Sequence, residues 1–205
     1  MSVKVKICGL TNLPDAQAVV QAGADLLGFI FAEASPRRLT LAAATAIAKE
    51  IPPPIVKVGV FVNPPDDLVW QALTECGLGL LQFHGEEAPE FCTQFGVMSV
   101  KAFRVRDEQS LAALKNYPTD AWLLDTYAEN QAGGTGQPFN WNLAVAAKQF
   151  GKPIFLAGGL TPANVADAVR RVQPFAVDVS SGVEISPGRK DHARVAAFIQ
   201  AAKGA

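Results

Sequence analysis

The segment Val3-Lys4-Val5-Lys6-Ile7-Cys8-Gly9-Leu10-Thr11 reads as a strand that runs into a tight turn, with a thiol at the strand's last position. A thiol there is well sited to touch a substrate, and its thiolate form is a base or a nucleophile. Two further reactive side chains close strand-like runs: His84 ends Leu80-Leu81-Gln82-Phe83-His84, and Asp125 ends Ala121-Trp122-Leu123-Leu124-Asp125. A thiol and a carboxylate that face each other across a pocket make a base–acid pair, and each well-placed member gives about 10²–10⁴-fold in rate. A carboxyl acting as the acid has to keep its proton, which burial favours. A free thiol titrates near about 8.5, so a cysteine base needs a neighbouring cation or helix N-terminus. Cys76 and Cys92 fall in helical patterns and read as small core hydrophobes.

Short apolar runs alternate with amphipathic stretches along the whole chain. Strands are expected over 3–8, 26–31, 57–62, 80–84, 99–105, 121–126, 153–158 and 176–181. Helices are expected over 14–22, 40–50, 66–76, 87–95, 107–115, 141–150, 162–172 and 191–203. Asn12, Thr40 and Thr161-Pro162 supply start signals, and Asp191-His192 reads as a structural helix-start pair. Eight strand–helix units of about 26 residues each fit one closed (β/α)8 TIM barrel spanning residues 1–205, of the α/β class. An open doubly wound sheet is the rival, and it would want a GxGxxG turn after the first strand, which is missing.

A barrel of this kind works at the C-terminal ends of its strands. Period-two alternation puts Lys4, Lys6 and Cys8 on one face, and likewise Leu80, Gln82 and His84, Leu123 and Asp125, and Asp178 and Ser180. Lys101 is read as inward-pointing as well. Strands one and eight neighbour each other in a closed barrel, so buried Lys6 is expected to pair with Asp178, with Lys101 as the competing partner. The loops after strands seven and eight carry Gly158-Gly159 and Ser180-Ser181-Gly182, whose backbone N–H groups suit a phosphate; plain tight turns are the alternative. Gly134 lies in the stretch Gly133–Gly136 after strand six, read as a hinged lid that excludes water or as a simple connection.

Composition narrows the partners. The chain has 205 residues, 49% of them hydrophobic, and a net charge of −1. That balance gives no electrostatic pull toward nucleic acid or an acidic membrane, and no apolar run reaches the roughly 20 residues of a membrane span. Three cysteines without a CxxC, and an N-terminus that enters a strand at once, suggest the cytoplasm, with neither disulfides nor a zinc site. A single small barrel can be a monomer, and nothing in the sequence calls for a dimer.

Nine segments together resemble one family, the phosphoribosylanthranilate isomerases of tryptophan biosynthesis. They are KICGLT at 6–11, SPRR at 35–38, GVFVN at 59–63, LQFHGEE at 81–87, LLDT at 123–126, GGTG at 133–136, LAGGL at 156–160, DVSSGVE at 178–184 and PGRKD at 187–191. The resemblance implies an Amadori rearrangement of an aminoaldose phosphate, without metal or organic cofactor. It implies Cys8 as general base and Asp125 as general acid. Arg37 would hold the anthranilate carboxylate through a bidentate fork, and Gly158, Gly159, Ser180, Ser181 and Gly182 would grip the phosphate. His84 is read as lining the pocket and not as a proton carrier. A rival indole-3-glycerol phosphate synthase would want a Lys acid and a Glu base at the mouth. A catalytically silent phosphate-binding barrel would lack the acid or the base, and the symmetrical substrate of histidine biosynthesis would favour two carboxylates.

Overall fold

A computed structural model describes residues 2–125 and 141–205. Eight parallel strands close on themselves in chain order: β1 (Lys4–Cys8), β2 (Leu26–Ile30), β3 (Val56–Phe61), β4 (Leu80–Phe83), β5 (Met98–Arg104), β6 (Ala121–Asp125), β7 (Ile154–Leu156) and β8 (Ala176–Val179). The expected (β/α)8 barrel is therefore the fold. Helices α1 (Leu13–Gln21), α2 (Leu41–Lys49), α3 (Asp66–Cys76), α4 (Pro89–Thr93), α5 (Trp141–Ala147), α6 (Val165–Val172) and α7 (His192–Lys203) lie between or after the strands.

Local chemistry sets the helix ends. Asn12 caps α1, its side chain accepting from the Asp15 amide at 2.9 Å, and Thr40 caps α2 through the Ala43 amide at 3.2 Å. Asp191 caps α7 by accepting from the Arg194 amide. His192 turns instead toward α1, where its Nε2 meets Asp15 Oδ1 at 2.8 Å. The chain departs from expectation at Thr161-Pro162. Asn164 Oδ1 accepts from the Thr161 amide at 2.8 Å, which ties residues 161–164 into a turn and delays α6 to Val165. The fifth connection, expected as an α-helix over 107–115, is a 3-10 helix at Gln109–Asn116. Its closures reach back three residues, from the Leu111 amide to Glu108 and from Tyr117 to Leu114.

Two layers of core follow from the alternation of side chains. Leu26, Val58, Leu80, Val100, Ala121, Phe155 and Ala176 fill the barrel interior with Val60, Ala102, Leu123 and Ala157 above them. Phe31, Phe61, Phe83 and Phe95 pack between sheet and helices, with Phe31 and Phe61 stacked at 5.2 Å. Lys101 belongs to this outer layer, which corrects the inward reading. In β5 it is Val100 and Ala102 that face the interior, and Lys101 Nζ meets Glu87 Oε2 at 3.2 Å and the Gly85 carbonyl at 2.6 Å. Lys6 is fully buried inside the barrel and pairs with Asp178 at 3.1 Å, on strands whose register sets the two residues opposite each other.

Cavities open at both ends of the barrel. The larger, about 480 Å³, lies at the N-terminal ends of the strands and has a predominantly apolar wall. Its charged groups are already engaged: Lys4 with Asp25 at 2.9 Å, and Asp120 with the Ser99 amide. No helix among the described residues is long and apolar enough to cross a membrane.

Candidate active site

The smaller cavity, about 290 Å³, sits at the C-terminal ends of the strands. It brings together Cys8, Arg37, His84, Asp125, Gly158, Gly159, Ser180, Ser181 and Gly182. Every candidate residue within the described chain therefore meets in one place. Gly134 lies outside the described residues. Each position follows from a strand ending: Cys8 is the last residue of β1, Asp125 the last of β6, and His84 immediately follows β4.

His84 and Asp125 face each other, with Nε2 3.4 Å from Oδ2 and side chains 24% and 29% exposed. Desolvation of this carboxyl is thus partial. Gln82 lies on the same face of β4 and donates from its Nε2 to His84 Nδ1 at 3.1 Å. In that amide orientation the ring proton sits on Nε2, aimed at Asp125. Gln82 thereby fixes the ring that addresses the carboxyl.

The Arg37 environment differs from the expected free fork. Glu184 grips one edge of the guanidinium: Nε lies 2.9 and 3.1 Å from the two carboxylate oxygens, and Nη2 2.6 Å from Oε2. The second partner of Glu184 is Lys190, fully buried, whose Nζ donates to Glu184 at 2.8 Å and to the carbonyls of Cys8 at 2.6 Å and Ser180 at 3.2 Å. Burial pushes the Glu184 carboxyl up, but the Arg37 and Lys190 contacts outweigh it and hold it below its ordinary range. Burial pushes the Lys190 ammonium down, with Glu184 opposing. These two residues come from a small antiparallel pair, β9 (Glu184–Ser186) and β10 (Arg189–Lys190), that folds over the end of β8. The nearby Lys–Glu pair is spent on this scaffold, and among the described residues no other Lys or Glu of the synthase kind lines the mouth.

The loops after β7 and β8 press together. Gly158 and Gly159 take φ values of +83° and +64°, conformations that favour glycine. Asn164 Nδ2 donates to the Gly159 carbonyl at 3.0 Å, so one side chain braces the middle of the β7–α6 loop at Gly159 and Thr161. A Cβ on Gly182 would drive into the Leu160 carbonyl oxygen. The hydroxyl of Ser180 is buried and has no hydrogen-bond partner among the described residues. Gly182→Ala is accordingly expected to pry the two loops apart and raise KM for a phosphorylated substrate at least about tenfold, a loss of ~1.4 kcal/mol of binding. Isothermal titration with a phosphorylated product analogue checks this, and unchanged binding would show that these loops do not hold a phosphate.

The thiol of Cys8 is buried, and burial pushes it above its ordinary titration range, with Lys6 as the strongest opposing influence. Asp178 stands where the sequence expects it, paired with Lys6, whereas the parts played by Gln82, Glu184 and Lys190 are not legible in the sequence. Glu184 is 147 residues from Arg37, a partnership no local pattern encodes.

A family model described as N-(5'phosphoribosyl)anthranilate (PRA) isomerase matches residues 5–201. An N-(5'-phosphoribosyl)anthranilate isomerase from Geobacter sulfurreducens is 54% identical over 202 residues, covering 98% of this chain and 99% of that protein. One from Pelobacter propionicus is 50% identical over 201 residues, covering 98% and 96%. Among solved structures, phosphoribosyl anthranilate isomerase from Thermotoga maritima superposes with a TM-score of 0.93 at 41% identity, over 99% of this chain and 100% of that one. A phosphoribosyl anthranilate isomerase in complex with reduced 1-(o-carboxyphenylamino)-1-deoxyribulose 5-phosphate gives a TM-score of 0.90 at 40% identity, over 99% and 100%.

Proposed function

The chain belongs to the N-(5'-phosphoribosyl)anthranilate isomerase family, and we propose that in it Cys8 is the general base and Asp125 the general acid. The reaction is the isomerisation of N-(5'-phosphoribosyl)anthranilate to 1-(o-carboxyphenylamino)-1-deoxyribulose 5-phosphate in tryptophan biosynthesis. The observation that carries the assignment is a thiol and a carboxyl at the ends of β1 and β6, lining one cavity with a guanidinium and two glycine-rich loops.

Asp125 protonates the furanose ring oxygen. The bond from C1′ to that oxygen then breaks as the anilino nitrogen lone pair forms the C1′=N bond of a Schiff base. Cys8 removes the proton on C2′, and the electron pair of that C–H bond flows into a C1′=C2′ enolamine. Proton return to C1′ and loss of the enol proton give the ketone at C2′. Each proton transfer is expected to gain about 10²–10⁴-fold from its side chain. The phosphate is held by the backbone amides of Gly158-Gly159 and Ser180-Ser181-Gly182, and His84 lines the pocket beside Asp125. The substrate is a phosphorylated small molecule.

The anthranilate carboxylate meets Arg37. Because Glu184 holds the Nε and Nη2 edge, the substrate takes the Nη1 side, end-on. Arg37→Met is expected to raise KM roughly 10–150-fold, the cost of a charge-assisted hydrogen bond of about 1.5–3 kcal/mol. A phosphoribosyl aniline lacking the carboxylate reads the specificity: its KM is expected to be the same for parent and variant, and an equal loss for both substrates would contradict the assignment.

The base is tested by following the fluorescence lost as freshly generated substrate is consumed. Rapid turnover by the parent and a folded, nearly inactive Cys8→Ala variant are expected. Full activity in Cys8→Ala would send the base role elsewhere.

A further inference from the structure

One charge inside the barrel takes no part in the chemistry above. Lys6 is fully buried one layer below the mouth, on the same face of β1 as Cys8. Its Nζ lies 3.1 Å from Asp178 Oδ1 on the neighbouring strand. On the other side, β2 sets Gly28 opposite Cys8. A Cβ on Gly28 would come within 2.7 Å of Cys8 Sγ and 3.1 Å of Lys6 Nζ. Thiol and ammonium thus converge on a point that a side chain at position 28 would occupy. We infer that Lys6 is a positioning residue for the proton abstraction: anchored by Asp178 and admitted by Gly28, its ammonium is the counter-ion of the Cys8 thiolate. This inference rests on Cys8 being the base.

Burial alone disfavours a thiolate strongly, so a base in this position needs a cation that is itself buried. Lys6 meets that condition. Burial pulls its ammonium down, but Asp178 and Cys8 outweigh this and keep it charged. The other charges that face Cys8 are committed elsewhere. Lys190 from β10 is bound to Glu184 and to the Cys8 and Ser180 carbonyls. Arg37, from the loop after β2, is clamped by Glu184, and His84 and Asp125 face one another at the same mouth. Asp178 opposes the thiolate, so its anchoring of Lys6 comes at a cost to the base. Removing the cation and removing the anion must therefore act in opposite directions.

The test is the rate of Cys8 alkylation by iodoacetamide across pH in the full chain, read by peptide mass spectrometry so that Cys76 and Cys92 are counted apart. In Lys6→Gln the thiolate loses its counter-ion, and alkylation at pH 8 is expected to slow at least about tenfold, one unit of thiol titration. In Asp178→Asn it is expected to quicken. A merely structural role would loosen the mouth and quicken both, and either that result or two unchanged rates would overturn the inference. Should Lys6→Gln not fold, the pH profile of Asp178→Asn decides: a Cys8 alkylation midpoint moved to lower pH with the high-pH plateau rate unchanged supports the pairing, while an unmoved midpoint, or a raised plateau as loosening would give, refutes it. Opposite shifts in alkylation with kcat/KM unmoved in either variant would uphold the Lys6–Cys8 pair and discard Cys8 as the base.

Discussion

Asp125→Asn is expected to lower kcat/KM by about 10²–10⁴-fold while the protein stays folded. Asparagine keeps the shape of the side chain and can still accept from His84, 3.4 Å away. What it loses is the proton that the ring oxygen must receive before the sugar opens. The carboxyl is 29% exposed and at the end of its strand, so the substitution leaves the barrel core untouched. His84 does not take over: its Nδ1 is held by Gln82 and its Nε2 is aimed at Asp125. Steady-state kinetics with thermal melts alongside check the expectation. A folded variant with more than about a tenth of the parent activity would contradict it, because a lost general acid costs more than that.

Lys6→Met is expected to cost about 3 kcal/mol of stability, because it leaves Asp178 in the barrel interior without its cation. At this chain length each kcal/mol is worth roughly 2–4 °C in Tm, so the variant should melt about 6–12 °C lower. Replacing both members with apolar residues, as in Lys6→Met/Asp178→Leu, should recover much of the loss, since a buried pair contributes little beyond its mutual neutralisation. A single variant that melts with the parent would mean that Asp178 finds another partner. Lys101 is not available for that role, being held on the outer side of β5 by Glu87 and the Gly85 carbonyl.

The contrast between Lys6 and Lys101 shows what the sequence carries. In β1 the run Lys4-Val5-Lys6-Ile7-Cys8 alternates cleanly, so one inward residue fixes the others and the Lys6–Asp178 pair follows from barrel closure. In β5, Ser99-Val100-Lys101-Ala102 is buried on both faces. Alternation then carries no phase, as is usual for parallel strands covered on both sides, and Lys101 is misread by one residue. The strand ends that deliver Cys8, His84 and Asp125 are legible because hydrophobic runs stop there. The β9–β10 pair is not legible, because segments of three and two residues hold too few side chains to show a period. With it goes the clamp on Arg37, whose donor strand lies far along the chain. The 3-10 helix at Gln109–Asn116 has helix-like composition, and only its tertiary connections decide its winding.

The proposed chemistry divides at the Schiff base: Asp125 acts before it and Cys8 after it. The most direct measurement is to mix each variant in excess with fresh N-(5'-phosphoribosyl)anthranilate and quench with borohydride, which reduces the imine to an amine detectable by mass spectrometry. Cys8→Ala is expected to accumulate the trapped imine, since ring opening proceeds and deprotonation does not, and Asp125→Asn is expected to return closed-ring substrate. Imine trapped on Asp125→Asn, or none on Cys8→Ala, would contradict the assignment of acid and base.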